Sequence, residues 1–153
     1  MAYELADSVI IQAAPERIYD VVSDVTRTGE WSPVCYRCEW SSEARGVGAT
    51  FVGHNRTPDR EWSTTSTVVV ATPGIEFAWE VGAGRTRWGY RMAPAAGRAT
   101  ELTEYTVFGA AAEEAFRERF GAAAETEEEN RRRVAASGIP VTLQRIKAMI
   151  EAR

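Results

Sequence analysis

The sequence predicts an α+β domain in which a curved antiparallel sheet wraps a long C-terminal helix. Three observations carry this reading. Hydrophobicity alternates with period two from about residue 34 to residue 108, the breaks in that alternation have turn chemistry, and the period becomes helical after Gly109. Because the connections are too short for crossover helices, the strands must run antiparallel in a meander.

Residues 3–12 mix β-branched and apolar residues with polar ones at near-alternating positions and stop at Ala13-Ala14-Pro15, which reads as a first strand. Pro15 suits the first turn of a helix and Glu16 complements its positive end. Ile18, Tyr19, Val21 and Val22 supply its apolar stripe, which ends near Ser23-Asp24. A second short helix is predicted over 25–31, closed by Ser32-Pro33. Strands are then predicted at 34–41, 49–56, 60–71, 75–81, 85–93 and 100–108. The separators are Gly46-Val47-Gly48, Thr57-Pro58-Asp59, Thr72-Pro73-Gly74, Gly82-Ala83-Gly84 and Pro94-Ala95-Ala96-Gly97.

Beyond Gly109, Phe116 and Phe120 stand one helical turn apart. Glu127/Arg131, Glu128/Arg132 and Glu129/Arg133 form three i,i+4 pairs with the acid on the N-terminal side, the pattern of a solvated helix face. Gly138 and Pro140 are expected to break or kink this helix. Leu143, Ile146, Met149 and Ile150 then make a further apolar stripe, with Lys147, Glu151 and Arg153 on the wet side.

Composition narrows the function. A chain of 153 residues, 44% hydrophobic and 26% charged, fits one ordinary globular domain, 1–153. A net charge of −4 provides no basic footprint, so no nucleic-acid partner is expected. Met1-Ala2-Tyr3-Glu4 lacks a basic segment followed by an apolar run, and no stretch approaches the ~20 apolar residues of a membrane span, so a cytoplasmic location is expected. Cys35 and Cys38 form a C-x-x-C, but they fall on a predicted strand, where an i,i+3 pair lies ~10 Å apart and cannot bridge. With one His and no second cysteine pair, no metal is expected. Gly82-Ala83-Gly84-Arg85 lacks the third glycine and the following helix of a dinucleotide fingerprint, and no cofactor is expected.

The local wording carries a resemblance. Ala14-Pro15-Glu16-Arg17-Ile18-Tyr19, Ser23-Asp24 and Glu30-Trp31-Ser32-Pro33 resemble the opening of the SRPBCC superfamily, the START-related group that includes the birch-pollen allergen. The segments Gly48 to Arg56, Trp62-Ser63-Thr64, Pro73 to Trp79, Thr100 to Glu104 and Thr142 to Lys147 are similar to its polyketide cyclase/dehydrase-like branch. This resemblance implies the helix-grip fold and a deep cavity between the concave sheet face and the C-terminal helix. It also implies apolar ligands such as lipids, sterols or polyketides.

Taking the more apolar parity of each strand as inward gives the candidate wall. It consists of Phe51 and Asn55, then Trp62, Thr64, Ser66 and Val68, then Ile75, Phe77, Trp79 and Val81, then Trp88, Tyr90 and Met92, then Leu102, Glu104, Thr106 and Phe108. Ile146 is placed on the floor from the helix. Large aromatics in such positions also serve as plain core, and only the implied cavity turns them into a binding surface. Glu104 shares its parity with Leu102 and Thr106, where desolvation raises a carboxyl pKa, so it is either a general acid/base or a structural carboxylate. His54 faces outward beside Val52 and Arg56.

Three readings follow. The first is a protein that binds a hydrophobic small molecule between Trp62, Trp79, Trp88 and Tyr90, with Asn55 and Glu104 at its polar end. The second is a cyclase or dehydratase using Glu104 or Tyr90. The third is an interaction protein such as a homodimer.

Overall fold

A computed structural model of the chain describes residues 1–152. The N-terminal strand β1 (Tyr3–Ile11) leads into helix α1 (Pro15–Val22) and a 3-10 turn, Val25–Glu30. Six strands follow, β2 (Cys35–Trp40), β3 (Thr50–Thr57), β4 (Arg60–Thr72), β5 (Glu76–Val81), β6 (Thr86–Pro94) and β7 (Thr100–Phe108). The chain ends in α2 (Ala110–Phe120) and α3 (Ala124–Glu151), joined by a single 3-10 turn. The sheet has seven strands in the order β1-β7-β6-β5-β4-β3-β2, every neighbouring pair antiparallel. This is the curved sheet and long terminal helix expected from the alternation.

Local chemistry explains the entry segments. Pro15 starts α1 with Glu16 in its first turn, and Ile18 and Val22 become its buried face. Asp24 caps the following 3-10 turn, its Oδ1 accepting from Thr26 N at 3.1 Å. The convex face of the sheet is also packed. Tyr105 lies over Gly89, where a Cβ would come within 2.6 Å of the ring. Arg91 covers Tyr105 from 3.9 Å and Glu76 accepts its hydroxyl at 2.5 Å.

Gly138 and Pro140 do not break the terminal helix. Pro140 removes one N–H, but it and the carbonyl-bearing Ala136 are exposed, where water can serve the freed oxygen. Meanwhile Ala135, Ile139, Thr142, Leu143, Ile146 and Ile150 keep one continuous buried face on either side of it. Ile139, Leu143, Ile146 and Ile150 pack with Ile11, Ile18, Val22, Met92 and Leu102 into the main core. Polar ties hold the end of α3. Lys147 Nζ donates to Ile10 O at 2.6 Å and pairs with Glu151, which in turn accepts from Gln12 N at 2.8 Å. Lys147 is therefore half-buried rather than wet, and Arg153 lies outside the described residues.

Two further expectations are corrected. Ile75 is 60% exposed because β5 begins at Glu76, leaving Ile75 in the preceding turn. The i,i+4 acid–base pairs of α3 are not formed either. Arg132 bonds Glu129 at 2.7 Å and Glu127 meets Arg60 of β4 at 3.5 Å, while Glu128 is buried. The run therefore has an inward edge, because Ala124, Glu128, Ala135 and Ile139 follow one helical face toward the sheet.

Truncating Ile146, which is fully buried, to Ala is expected to cost ~2–5 kcal/mol. The exposed Gln144→Ala is expected to cost less than ~0.5 kcal/mol. Urea melts compare the two, and equal midpoints would mean that α3 is not gripped.

Candidate functional site

The concave face does not close completely on α3. A cavity of about 630 Å³ remains between sheet, α2 and the first half of α3. Strand parity sets its wall, with Phe51, Asn55, Trp62, Thr64, Phe77, Trp79, Trp88, Tyr90 and Glu104 all facing it. Their aromatic rings form a chain, Phe51 to Trp79 at 6.0 Å, Trp79 to Phe77 at 5.8 Å and Trp79 to Tyr90 at 5.8 Å. Ile146 is instead sealed in the core at the far end of α3, with Leu143 and Ile150. The small residues Ala135 and Gly138 stand on the cavity stretch of the helix, and they leave the space open.

Other lining residues were not anticipated. Trp31 closes the inner end from the 3-10 turn, Phe116 comes from α2, and Arg131 comes from α3. The turn Gly82-Ala83-Gly84 meets α2 at the rim. A Cβ on Gly84 would lie 3.1 Å from Ala112 Cα and 3.3 Å from Ala115 Cβ, so the approach depends on small residues on both sides.

Polar satisfaction singles out this wall. Trp31 Nε1, Glu104 Oε1 and Arg131 Nη2 are the buried side-chain nitrogen or oxygen atoms without a hydrogen-bond partner among the described residues, and all three residues line the cavity. Buried polar groups are normally bonded, so three orphans around one space indicate groups that a guest or water completes. Asn55 adds a fourth polar side chain whose Nδ2 makes only long contacts, 3.5 Å to Gly53 O and to Trp62 O.

Glu104 stands opposite Tyr90 in the β6–β7 register and is 6% exposed. Burial pushes its carboxyl up to about 8, with the Tyr90 hydroxyl pulling the other way. Burial, and then the proximity of Glu104, pushes the Tyr90 hydroxyl well above its ordinary value. At pH 7 the pair is therefore mostly a neutral acid beside a neutral phenol.

The cysteines correct the sequence expectation. Register shifts between Cys35 and Arg37, so Tyr36 is an extra, bulged residue that reverses parity and turns both thiols to the cavity face. Their Sγ atoms come within 3.3 Å of each other on one side of the strand, where regular alternation would put them on opposite faces, in space left by Gly53 across the strand. The Cys38 hydrogen bond draws the Cys35 thiol down to about 7, whereas the same contact and burial push Cys38 up. Among the described residues no group of three or more His, Cys, Asp or Glu side chains could hold a metal ion.

His54 lies on the outer face, its Nδ1 3.0 Å from Ser63 Oγ and its Nε2 2.9 Å from Glu39 Oε1. This order of groups suggests a hydrolytic relay, but Ser63 is exposed on a strand and none of the three lines the cavity. An open groove of about 540 Å³ on the convex face is lined by Glu80, Arg85, Arg87, Arg91 and Tyr105, with Arg87 paired to Glu80 and Arg91 to Glu76 beneath Tyr105.

Fold and cavity together define a helix-grip domain with an internal cavity between sheet and terminal helices. The sequence matches the family described as polyketide cyclase / dehydrase and lipid transport over residues 3–136, and the chain belongs to that family. The chain is similar in structure to the polyketide-cyclase-like protein Cgl2372 from Corynebacterium glutamicum, with 42% identity and a TM-score of 0.70. That match covers 99% of this chain and 93% of the other. The ZhuI aromatase/cyclase from Streptomyces sp. R1128 shares the fold at 16% identity, TM-score 0.71, covering 99% and 98%. The di-domain aromatase/cyclase BexL of the BE-7585A biosynthetic pathway shares it at 18% identity, TM-score 0.73, with this chain spanning 51% of its length. No curated protein matches the sequence. No helix among the described residues is long and apolar enough to cross a membrane.

Two titrations are expected from this geometry. Cys35 should be alkylated by iodoacetamide far faster than Cys38, with a rate midpoint near pH 7 and a fall of about tenfold per pH unit below it, because the thiolate is the nucleophile. Equal labelling of both thiols by peptide mass spectrometry would refute the asymmetry. For Glu104 the folded value lies above the unfolded one, so folding favours its protonated form. Wild-type stability is then expected to decline relative to Glu104→Gln as pH rises from about 4.5 to 8 and to level off above. Parallel stability curves over that window would show that the carboxyl is not shifted.

Proposed function

We propose that this protein binds a hydrophobic small molecule, such as a lipid, polyketide or aromatic metabolite, in the cavity between the sheet and the terminal helix. The carrying observation is the ring of unpartnered polar atoms, Trp31 Nε1, Glu104 Oε1 and Arg131 Nη2, set in an otherwise aromatic wall. An apolar body gains from burial against Trp62, Trp79 and Trp88 at roughly 25 cal/mol per Å². The few polar groups then orient it, which is the usual division of labour in a small-molecule site. Family membership supports the same reading. An open space of this size argues against a protein that works only through its outer surface, as a homodimer or otherwise.

One observation favours a second reading, an enzyme of the cyclase or dehydratase kind. A carboxyl with a pKa of about 8 is protonated at pH 7 and still able to ionise. In a dehydration it would give its proton to a departing hydroxyl, which leaves as water. The resulting carboxylate would then take a proton from the neighbouring carbon as the double bond forms. Tyr90, across the register, would hydrogen-bond the substrate oxygen.

The binding reading is tested by extracting the purified protein and identifying co-purified small molecules by mass spectrometry, together with titration of an environment-sensitive apolar dye. Dye binding is expected to quench tryptophan fluorescence and to weaken about tenfold or more in Trp79→Ala and Trp88→Ala, each substitution removing a large buried contact. Dye affinity unchanged in both variants would move the site elsewhere. Turnover of a hydroxylated polyketone that disappears in Glu104→Gln while its binding persists would establish the enzyme.

A further inference from the structure

Charge is unevenly distributed along the cavity. Glu104 and Trp31 occupy the deep end, whereas the only cavity-facing guanidinium with an orphaned buried nitrogen, among the described residues, is Arg131 on α3. Its Cζ lies 5.2 Å from the ring centroids of both Trp62 and Phe116, so two aromatic side chains fix its position. The nearby carboxylate that would neutralise it is engaged. Glu127 accepts from Arg60 at 3.5 Å, and Arg60 itself stacks on Trp62 at 4.5 Å. Burial, followed by the positive charges of Arg60 and Arg119, lowers the pKa of the Arg131 guanidinium against the opposing pull of Glu127 and Tyr3.

A desolvated cation with a spare donor is costly, and an incoming anion that accepts from it recovers that cost through a charge-assisted hydrogen bond. We infer that Arg131 seats the anionic end of the ligand, a carboxylate, while the apolar body of the ligand runs along the aromatic wall toward Glu104. This deepens the binding reading above and rests on it. The two groups sit at different heights of the cavity. Arg131 packs on Phe116, which meets Phe108 at 5.0 Å, and Glu104 stands four residues before Phe108 on β7, a strand rise of roughly 13 Å. The ligand class is therefore an amphipathic carboxylic acid, not a neutral sterol or hydrocarbon.

Packing alone is the competing account, in which Arg131 merely fills space between two rings. The two accounts differ in what Arg131 should discriminate. Decanoate, methyl decanoate and 1-decanol serve as probes, with dissociation constants measured on the full chain by tryptophan fluorescence and calorimetry. Wild type is expected to bind decanoate at least about tenfold more tightly than the ester, the value of one charge-assisted hydrogen bond. Arg131→Gln is expected to lose that preference while its affinity for the ester stays within about twofold, and Arg131→Lys is expected to keep part of it. Thermal melts establish that the variants are folded, and if Arg131→Gln is not, Arg131→Met and Arg131→Lys supply the comparison.

Equal affinity of wild type for acid and ester would overturn the anion seat while leaving the cavity reading intact. So would an Arg131 substitution that weakens all three probes alike, since that is the signature of lost packing. If none of the three binds, the cavity reading fails and this inference falls with it.

Discussion

Burial of one face of α3 beneath the sheet is the constraint on which the rest of the structure depends. The helix divides along its length. Leu143, Ile146 and Ile150 are large and fill the space under β1, β6 and β7, producing the solid core. One to two turns earlier the same face carries Ala135 and Gly138, which cannot reach the sheet, and the cavity begins there. A close-packed interior leaves few voids larger than water, so an opening of about 630 Å³ next to a dense core reflects where the small residues stand rather than general looseness. The helix needs its packed half to hold its open half in place.

The cavity carries polar features that a folding-only sequence would avoid. A carboxyl held neutral by desolvation, an indole N–H without an acceptor and a guanidinium without a counter-ion all cost stability. Each could be replaced by an apolar residue of similar volume with little or no loss of stability. Departures from local consistency gather where a protein acts on something else, and here they gather around one cavity. Elsewhere charged side chains have partners, with Arg27 on Glu30, Arg37 on Glu39 and Lys147 on Glu151 at or near the surface, and the buried Glu128 on the N-terminal amine.

Much of this was legible in the sequence because strand alternation is a direct readout of direction. Phe51, Phe77, Trp79, Trp88, Tyr90 and Glu104 face the cavity on simple parity, and the turns fall where glycine and proline place them. Parity is blind to one inserted residue, however. Tyr36 is such an insertion, and it brings together two thiols that regular spacing holds apart. Helical charge pairs were similarly ambiguous, since i,i+4 spacing says which residues are neighbours but not which way the pair points. Counting back from Ile146 by helical turns through Thr142, Ile139 and Ala135 would have reached Arg131 and Glu128, revealing that the charged run has an inner edge. Ile75 failed for a simpler reason, because a strand's first residue cannot be told from the last residue of a turn.

The seam between the Gly82-Ala83-Gly84 turn and α2 has its own consequence. It is built from Gly84, Ala112 and Ala115, so parting it forfeits few dispersion contacts and strands no polar side chain. The rest of the boundary is made of hydrogen-bonded strands, the buried flank of α3 and the α1 and 3-10 segment that carries Trp31. Traffic in and out is therefore expected at this doorway, with the Gly82-Ala83-Gly84 turn yielding while Phe116 on Phe108 and Glu113 on the N-terminal amine hold α2. Exchange speed and binding strength would then be governed by different residues. Bulkier side chains along the doorway would alter how long a guest stays without changing the wall it rests against.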